Sequence, residues 1–281
     1  MHKYLDFSHS LNRLCVVNYS VHFNLSMDLF MKNYFKLLYL LIICGSLRAT
    51  SNTLSIHDIR EIYALHVKPY TDHPKFNNRY VPLPLRKNNS SWHWKDKDFP
   101  RVLALLEFER FVVENKITCN KGLAINGLDP EWYYLPSNEI REIIYDGTKQ
   151  EYDLHTLNLP EIDFDFVMVN QTLEHVYDPI RCLKNIYAHM CSGGILYLNV
   201  PVNSIPHETP FHHYTGFTPT GLGAIAAAAG FKILSIGQWG NLEYLMKMHT
   251  SQSWPDYRQL KQPGLNEINY PVITWIFALK E

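Results

Sequence analysis

The chain has 281 residues, of which 46% are hydrophobic and 19% are charged, and its formal net charge is −1 at pH 7. This length supports one substantial core with a small appendage, so one main domain is expected. The near-neutral charge argues against bulk DNA or RNA binding, which requires a basic face for the phosphates. Five cysteines without a CxxC pair exclude a disulfide scaffold and a zinc finger.

The first 50 residues form a predicted signal or anchor-like leader. Lys32 and Lys36 precede an eight-residue apolar run over 37–44, and small residues follow it, among them Ser46 and Ala49. This layout is typical of a secretory signal that is cleaved near Ser46 or Ala49. The run is too short to span a bilayer comfortably. A secretory or membrane-associated location is therefore expected, and the alternative is an apolar terminus on a cytoplasmic protein.

Residues 51–99 are predicted to form a short helix followed by a loop. Ser55 and Asp58 resemble a capping box, with Asp in place of Glu, at the start of an amphipathic helix. The stretch that follows, up to Pro100, is dense in Pro, Asn and Trp and has no sustained period. This composition predicts an ordered surface loop or a substrate lid.

Residues 100–281 are predicted to form the main domain, which begins with helices and strands in alternation. A helix is predicted over 100–116, a first strand over 122–126 and a second strand over 143–145, which ends at Asp146. Only six residues separate Asp146 from Asp153. A full helix does not fit between them, so the crossover to a third strand is expected to be shortened or replaced by a hairpin.

The clearest strand–helix–strand unit follows. Phe164 to Val169 reads as a buried strand that is stopped by the polar Asn170 and Gln171. A helix follows with Asp178 as N-cap, Gly193 and Gly194 are predicted to end it, and a strand over 195–200 is closed by Pro201. A helix capped by Thr218, a strand over 231–236 and a last strand over 271–280 complete the domain.

Several of these segments resemble a known family. The order DFVMVNQTLEHVYDP, a helix and then GGILYLNVP is similar to the fourth strand, fourth helix and fifth strand of class I S-adenosylmethionine-dependent methyltransferases, especially the small-molecule type 11/23-like branch. AAAAGFKILSIG is similar to the family's fifth helix and sixth strand, and PVITWIFALK to its seventh strand. The resemblance implies a doubly wound, Rossmann-like α/β fold with seven mostly parallel strands and an antiparallel last strand. It also implies S-adenosylmethionine as cofactor and methyl transfer to a small-molecule or glycan-like acceptor.

The resemblance further implies where the cofactor binds. The family's G-x-G-x-G loop is reduced here to Gly127, with Asn126 and Asp129 as substitute polar contacts. Leu128 and Pro130 are bulky positions in this loop and are expected to narrow the pocket.

The remaining cofactor candidates follow the later strands. Asp146 is the candidate for the carboxylate that binds the ribose hydroxyls, and the alternative is an ordinary turn aspartate before a glycine. Asp153 is the candidate adenine contact. Asn170 and Gln171, followed by Glu174 and His175, complete the set, and the alternative for the last two is capping of a helix terminus.

The segment SIPHETPFHHYTGFT is predicted to lie over the acceptor. His207, His212 and His213 are candidate bases for a hydroxyl acceptor, and Tyr214 is a candidate substrate contact. A metal site is the competing interpretation, because clustered His and Glu suit zinc or iron. We predict no metal, since adjacent histidines rarely face one ion and the segment lacks helical i, i+4 spacing. The plain alternative is a hydrogen-bonded structural turn.

Two other classes of function stay open. The reduced glycine loop is compatible with a non-catalytic methyltransferase fold that serves as a binding module. A nicotinamide-dependent oxidoreductase is disfavoured, because GLAINGLDPE lacks the G-x-G-x-x-G that a pyrophosphate needs.

Overall fold

The computed structural model describes residues 53–71, 99–207 and 213–281. Its strands are β1 (Cys119–Ile125), β2 (Ser137–Ile143), β3 (Phe164–Asn170), β4 (Met190–Pro201), β5 (Lys232–Trp239) and β6 (Ile273–Leu279). Its helices are α1 (Ile56–Ile62), α2 (Phe99–Asn115), α3 (Pro179–Ala188), α4 (Pro219–Ala228) and α5 (Leu242–Ser251). The first of these helices continues through a π-helical turn, Tyr63–Val67, into the helical turn Lys68–Thr71. The predicted leader, most of the predicted loop and His212 lie outside the described residues.

The strands form one sheet in the order β2-β1-β3-β4-β6-β5. The pairs from β2 to β4 are parallel, whereas β6 is antiparallel to both of its neighbours. This arrangement confirms the doubly wound fold with an antiparallel last strand. The described part of the chain contains six strands, so the predicted count of seven is wrong by one.

The missing strand is the third one expected from the resemblance. After β2 the chain forms a 3-10 turn, Gln150–Tyr152, and then a loop that leads directly into β3. The second strand is also displaced from its predicted position over 143–145. Because only a 3-10 turn, Pro130–Tyr134, separates β1 from β2, the strand begins early, and Ile143 already pairs with Ile125 at its end.

Helices cover both faces of the sheet and enclose two apolar layers. On one face, α3 and α4 pack through residues such as Leu183 and Leu222 against the sheet. On the other face, α2 and α5 contribute Phe108 and Met248 to a layer rich in aromatic rings. Successive strand residues alternate between the layers because side chains point to opposite faces of a strand. Burial on both faces explains the apolar runs from which the strands were predicted.

Polar side chains fix where the helices begin. Ser55 and Asp58 form the predicted capping box of α1. Asp178 accepts a hydrogen bond from the backbone N–H of Arg181 at the start of α3, and Thr218 caps α4 in the same way. These caps were all predicted correctly.

The predicted end of α3 was wrong. The helix ends at Ala188, and Gly193 and Gly194 lie inside β4 instead. The strand begins early because Met190 already pairs with Phe164 of β3. Among the described residues no helix is both long and apolar enough to cross a membrane.

Candidate active site

The chain leaves the sheet sharply at the adjacent carboxyl ends of β1 and β3. Asn126 and Gln171, the residues that follow these strands, both have left-handed backbones, with φ of 67° and 47°. From here the chain runs toward opposite edges of the sheet, since β1 connects to β2 and β3 connects to β4. Ligands of doubly wound folds bind in the crevice that such a divergence opens.

This crevice contains a cavity of about 860 Å³. Its volume lies within the range of small-molecule and cofactor sites. The predicted site residues that line it are Asn126, Asp129, Asp153, Asn170, Gln171, His175, His207 and Tyr214. The predicted residues Gly127, Asp146, Glu174 and His213 do not line it. The structure therefore brings eight of the predicted residues to one cavity.

The reduced glycine loop leaves the cavity open. Asn126 adopts the left-handed conformation that glycine usually supplies, and asparagine tolerates it better than most residues. Gly127 has a φ of 117°, which requires glycine. Leu128 is 57% exposed, and neither it nor Pro130 lines the cavity. The expectation that these two residues narrow the pocket is therefore wrong.

An ion pair borders the cavity near this loop. The guanidinium of Arg101, from α2, donates to the Asp129 carboxylate at 2.9 Å. Both residues line the cavity, so the pair presents a cation and an anion side by side. Sequence reasoning missed Arg101, because its partner Asp129 lies on a distant segment.

A buried carboxyl group lies behind the ion pair. Glu131 is fully buried, and burial raises its pKa to about 8. The neighbouring charge of Asp129 raises this pKa further, and the charge of Arg101 opposes it. The Asn170 amide, a hydrogen-bonding neighbour, also lowers this pKa, although neither carboxyl oxygen of Glu131 reaches full hydrogen-bond geometry with a described group. Sequence reasoning missed this residue, since nothing in the segment PEWYY marks its glutamate as buried.

A chain of polar side chains crosses the ends of β3 and β4. The Gln171 amide donates to the Asn199 side-chain oxygen at 2.6 Å, and the Asn199 amide donates to the Tyr197 hydroxyl at 3.3 Å. Burial raises the pKa of Tyr197, and the Glu131 charge adds to the effect. These contacts fix the orientation of Gln171 at the cavity wall.

One end of the cavity is bounded by Asp153 and aromatic rings. The Asp153 carboxylate accepts hydrogen bonds from the His155 backbone N–H at 2.9 Å and contacts His155 Nδ1 at 2.8 Å. The His155 ring stacks on Tyr177, with centroids 3.9 Å apart and planes 12° from parallel. Tyr152 also lines this end. The rings were missed because they come from separate segments.

Asp146 lies away from this end. It is exposed and accepts hydrogen bonds from the backbone N–H and the hydroxyl of Thr148, at 2.9 and 2.6 Å. These bonds lower the pKa of Asp146. The geometry matches the alternative of an ordinary turn aspartate rather than a cofactor contact.

Histidine and tryptophan side chains form another part of the cavity wall, here called the histidine end. The His207 ring lies 5.4 Å from the Trp254 ring and 5.1 Å from the His175 ring, edge to face in both cases. His207 Nδ1 contacts the Ile205 carbonyl at 2.8 Å. The His213 ring lies just behind, 5.1 Å from His207. Burial lowers the pKa of His213, and the charges of His207 and His175 add to the effect.

Glu174 connects the two loops at this end. Its side chain is fully buried, and its carbonyl accepts a hydrogen bond from the Tyr214 N–H at 2.7 Å. Its carboxylate lies 3.9 Å from His175 Nε2. Asp178, not Glu174, caps the following helix, so the capping alternative does not describe this residue.

The family comparison agrees with this fold and site. A model of a methyltransferase-domain family matches residues 117–262, just over half of the chain. The protein therefore belongs to this methyltransferase domain family. S-adenosylmethionine is the cofactor that this membership indicates, as the sequence predicted. No curated protein sequence matches the chain.

Solved methyltransferase structures are similar to the chain at low identity. One from Archaeoglobus fulgidus is 18% identical over 66% of this chain and 97% of its own, with a TM-score of 0.42. One from Mesorhizobium loti is 14% identical over 66% of this chain and 98% of its own, with a TM-score of 0.40. Phosphoethanolamine N-methyltransferase 2 of Haemonchus contortus, in complex with S-adenosylmethionine, is 11% identical over 62% of this chain and 52% of its own, with a TM-score of 0.38. The assignment rests on the family model, not on these structures.

Proposed function

We propose that the protein transfers the sulfonium methyl group of S-adenosylmethionine to a small-molecule or glycan-like acceptor. The observation that carries this proposal is a cavity whose wall combines two groups of side chains of different chemistry. Asp153 and Tyr177 belong to the first group, and His207 and Tyr214 belong to the second. We place the nucleoside at the first group and the acceptor at the second, so we call the histidine end the acceptor end.

The residues present suit this cofactor. Asn170 lines the cavity, and its amide is a hydrogen-bonding neighbour of the Glu131 carboxyl, although the pair does not reach full hydrogen-bond geometry. A side-chain amide has two N–H donors and a carbonyl acceptor, so Asn170 can contact a polar ligand as well. The ion pair of Arg101 and Asp129 offers opposite charges to the carboxylate and amine of an amino acid. Asp153 and the ring of Tyr177 suit the adenosine part.

The protein's own residues mainly align the reactants and exclude water. The bound cofactor supplies a methyl group that its positive charge already activates, and alignment then accounts for much of the remaining barrier. A base is needed only if the acceptor carries a proton. In that case the candidate bases among the described residues are His207 and His213, and Tyr214 contacts the acceptor. His212, the third candidate, lies outside the described residues.

Calorimetric titration of the purified full chain with S-adenosylmethionine tests this proposal. We expect one binding site, and we expect Asp153→Ala to weaken binding about tenfold or more, because it removes a charged hydrogen-bond acceptor. Asp146→Ala is the matched control, since this aspartate lies outside the cavity. The absence of binding at millimolar cofactor, or equal effects of the two substitutions, would refute the proposal.

A cofactor-binding protein without activity is the second candidate, motivated by the reduced glycine loop. Asn126 takes the left-handed backbone of a glycine, so Asn126→Gly is expected to change cofactor affinity by less than about threefold. A large gain in affinity would favour the inactive alternative. Release of S-adenosylhomocysteine with an acceptor would exclude it. The oxidoreductase alternative has no support from the family match.

We further propose that the protein acts in the secretory pathway or at a membrane. The leader that motivates this location lies outside the described residues. Amino-terminal sequencing of the mature protein tests the proposal: a start near Ser46 or Ala49 supports it, and an intact leader contradicts cleavage.

A further inference from the structure

We propose that Glu174, His175 and His207 form a binding site for one divalent transition-metal ion at the acceptor end of the cavity. One potential ligand atom from each residue lies within 4.8 Å of the other two. Atoms that share a cation at bonds of about 2.1 Å lie roughly 3–4 Å apart, so small side-chain shifts complete the site. Two imidazoles and a carboxylate are the ligand set of many zinc and iron sites.

The ligands come from two segments that the fold brings together. Glu174 and His175 follow β3, whereas His207 follows β4, its parallel neighbour. The sequence argued against a metal because adjacent histidines rarely face one ion. Here the two histidines come from different segments. Glu174 and His175 are neighbours in sequence, but Glu174 Oε1 and His175 Nε2 lie only 3.9 Å apart.

A hydrogen-bonding contact of the His207 ring orients it for metal binding. Its Nδ1 lies 2.8 Å from the Ile205 carbonyl, which can only accept a hydrogen bond. The proton is therefore on Nδ1, and the lone pair is on Nε2. Metal-binding histidines commonly have such a second contact, which fixes the tautomer and the ring orientation.

The surroundings suit a bound cation. Glu174 is fully buried and offers carboxyl oxygens as ligands, while His175 and His207 line the cavity, from which a further ligand can approach. The His213 ring lies 5.9 Å from His175, and its buried Nδ1 has no hydrogen-bond partner in the described part of the chain. Catalytic metal sites have about three protein ligands and leave one coordination position open for water or substrate, whereas structural sites fill all four positions with protein ligands. The three residues here match the catalytic arrangement.

The position next to the cavity indicates the acceptor class, an inference that rests on the proposed methyl transfer. When His207 binds the cation it does not also act as the base. A hydroxyl bound to the cation instead loses its proton to solvent more easily than a free hydroxyl. Its oxygen then attacks the methyl carbon, so an O–C bond forms and the C–S bond breaks. The electron pair of that bond stays on sulfur, which becomes a neutral thioether. The favoured acceptor is therefore an oxygen nucleophile.

Cobalt and zinc titrations of the full chain test the site directly. After removal of metals with EDTA and dialysis, we expect one equivalent of Co²⁺ to bind with visible d–d absorption and to be displaced by Zn²⁺. We expect His207→Ala to weaken Zn²⁺ binding at least about 100-fold, because it removes a direct ligand. Glu174→Gln is the second variant, and circular dichroism checks that each variant is folded.

His57→Ala is the matched control. His57 lies with Asp58 and Glu61 in a second group of possible ligands on α1. We interpret that group as a solvated helix face, so it serves as a comparison for the site in the cavity. Unchanged Zn²⁺ affinity in this variant supports the proposal. The proposal is overturned if the protein binds no stoichiometric metal ion. It is also overturned if His57→Ala abolishes metal binding while a folded His207→Ala variant still binds. Cofactor calorimetry is independent of these readouts, so failure of the metal site and failure of the proposed methyl transfer are distinguishable.

Discussion

Replacing Glu131 with glutamine should stabilise the protein at alkaline pH more than at acidic pH. Burial raises the pKa of this carboxyl from an ordinary 4.5 to about 8. Well below pH 4.5 the group is protonated in both the folded and the unfolded state, so it does not destabilise the folded protein. Between pH 4.5 and about 8 the unfolded chain loses the proton while the folded protein keeps it, so stability falls as pH rises.

The size of the effect follows from the same displacement of the pKa. Its full free-energy equivalent is about 5 kcal/mol, which is an upper bound, because buried sites relax when they ionise. We expect about half of this free energy to be realised. Glu131→Gln should therefore raise the free energy of unfolding by roughly 2 kcal/mol more at pH 8.5 than at pH 5. Any cost of burying the new amide is the same at both pH values and cancels in this difference.

Urea unfolding of both proteins at the two pH values measures the prediction. The exposed Glu139→Gln variant controls for replacing a carboxyl group with an amide as such. A stabilisation of equal size at pH 5 and pH 8.5 would refute the reasoning, because it would show that Glu131 ionises normally in the folded protein.

Three further predictions concern packing, the aromatic stack and location. Gly122→Ala should lower the free energy of unfolding by about 1–3 kcal/mol in urea, because the added methyl lies 2.7 Å from the ring of Trp132. Tyr177→Ala should weaken S-adenosylmethionine binding about tenfold in calorimetry, whereas Tyr177→Phe retains the ring that stacks on His155 and should bind normally. If the chain enters the secretory lumen, the N-x-S sequon at Asn88 should be glycosylated, and endoglycosidase treatment should shift the protein on a gel; a protein secreted without this shift would contradict it.

The sequence was sufficient where the signal is local. The caps at Asp178 and Thr218, and the polar stop of a buried strand at Asn170, each depend on a few neighbouring residues. Those signals were enough for the fold class and for one side of the cavity. Together with the family resemblance they located eight of the residues that line it, because the carboxyl ends of adjacent parallel strands meet at one edge.

The sequence was insufficient where the deciding partner is distant. The glycines at 193 and 194 looked like a helix end, but pairing with β3 draws them into a strand. Asp146 looked like a ribose contact, but it lies in a turn outside the cavity. The third strand is missing among the described residues, because the short connection after β2 forms a 3-10 turn and a loop instead.

The amino-acid sequence by itself determined the fold class and the helices α1 to α4, because hydrophobic periodicity and helix caps act over a few residues, and its motifs indicated the family. It did not show α5 or the number of strands. Only the tertiary structure decided that Glu131 is buried beside Asp129 and that Glu174 and His175 meet His207. Burial and charge proximity depend on chain segments far apart in sequence, and these two quantities set the pKa values and possible ligands of the site.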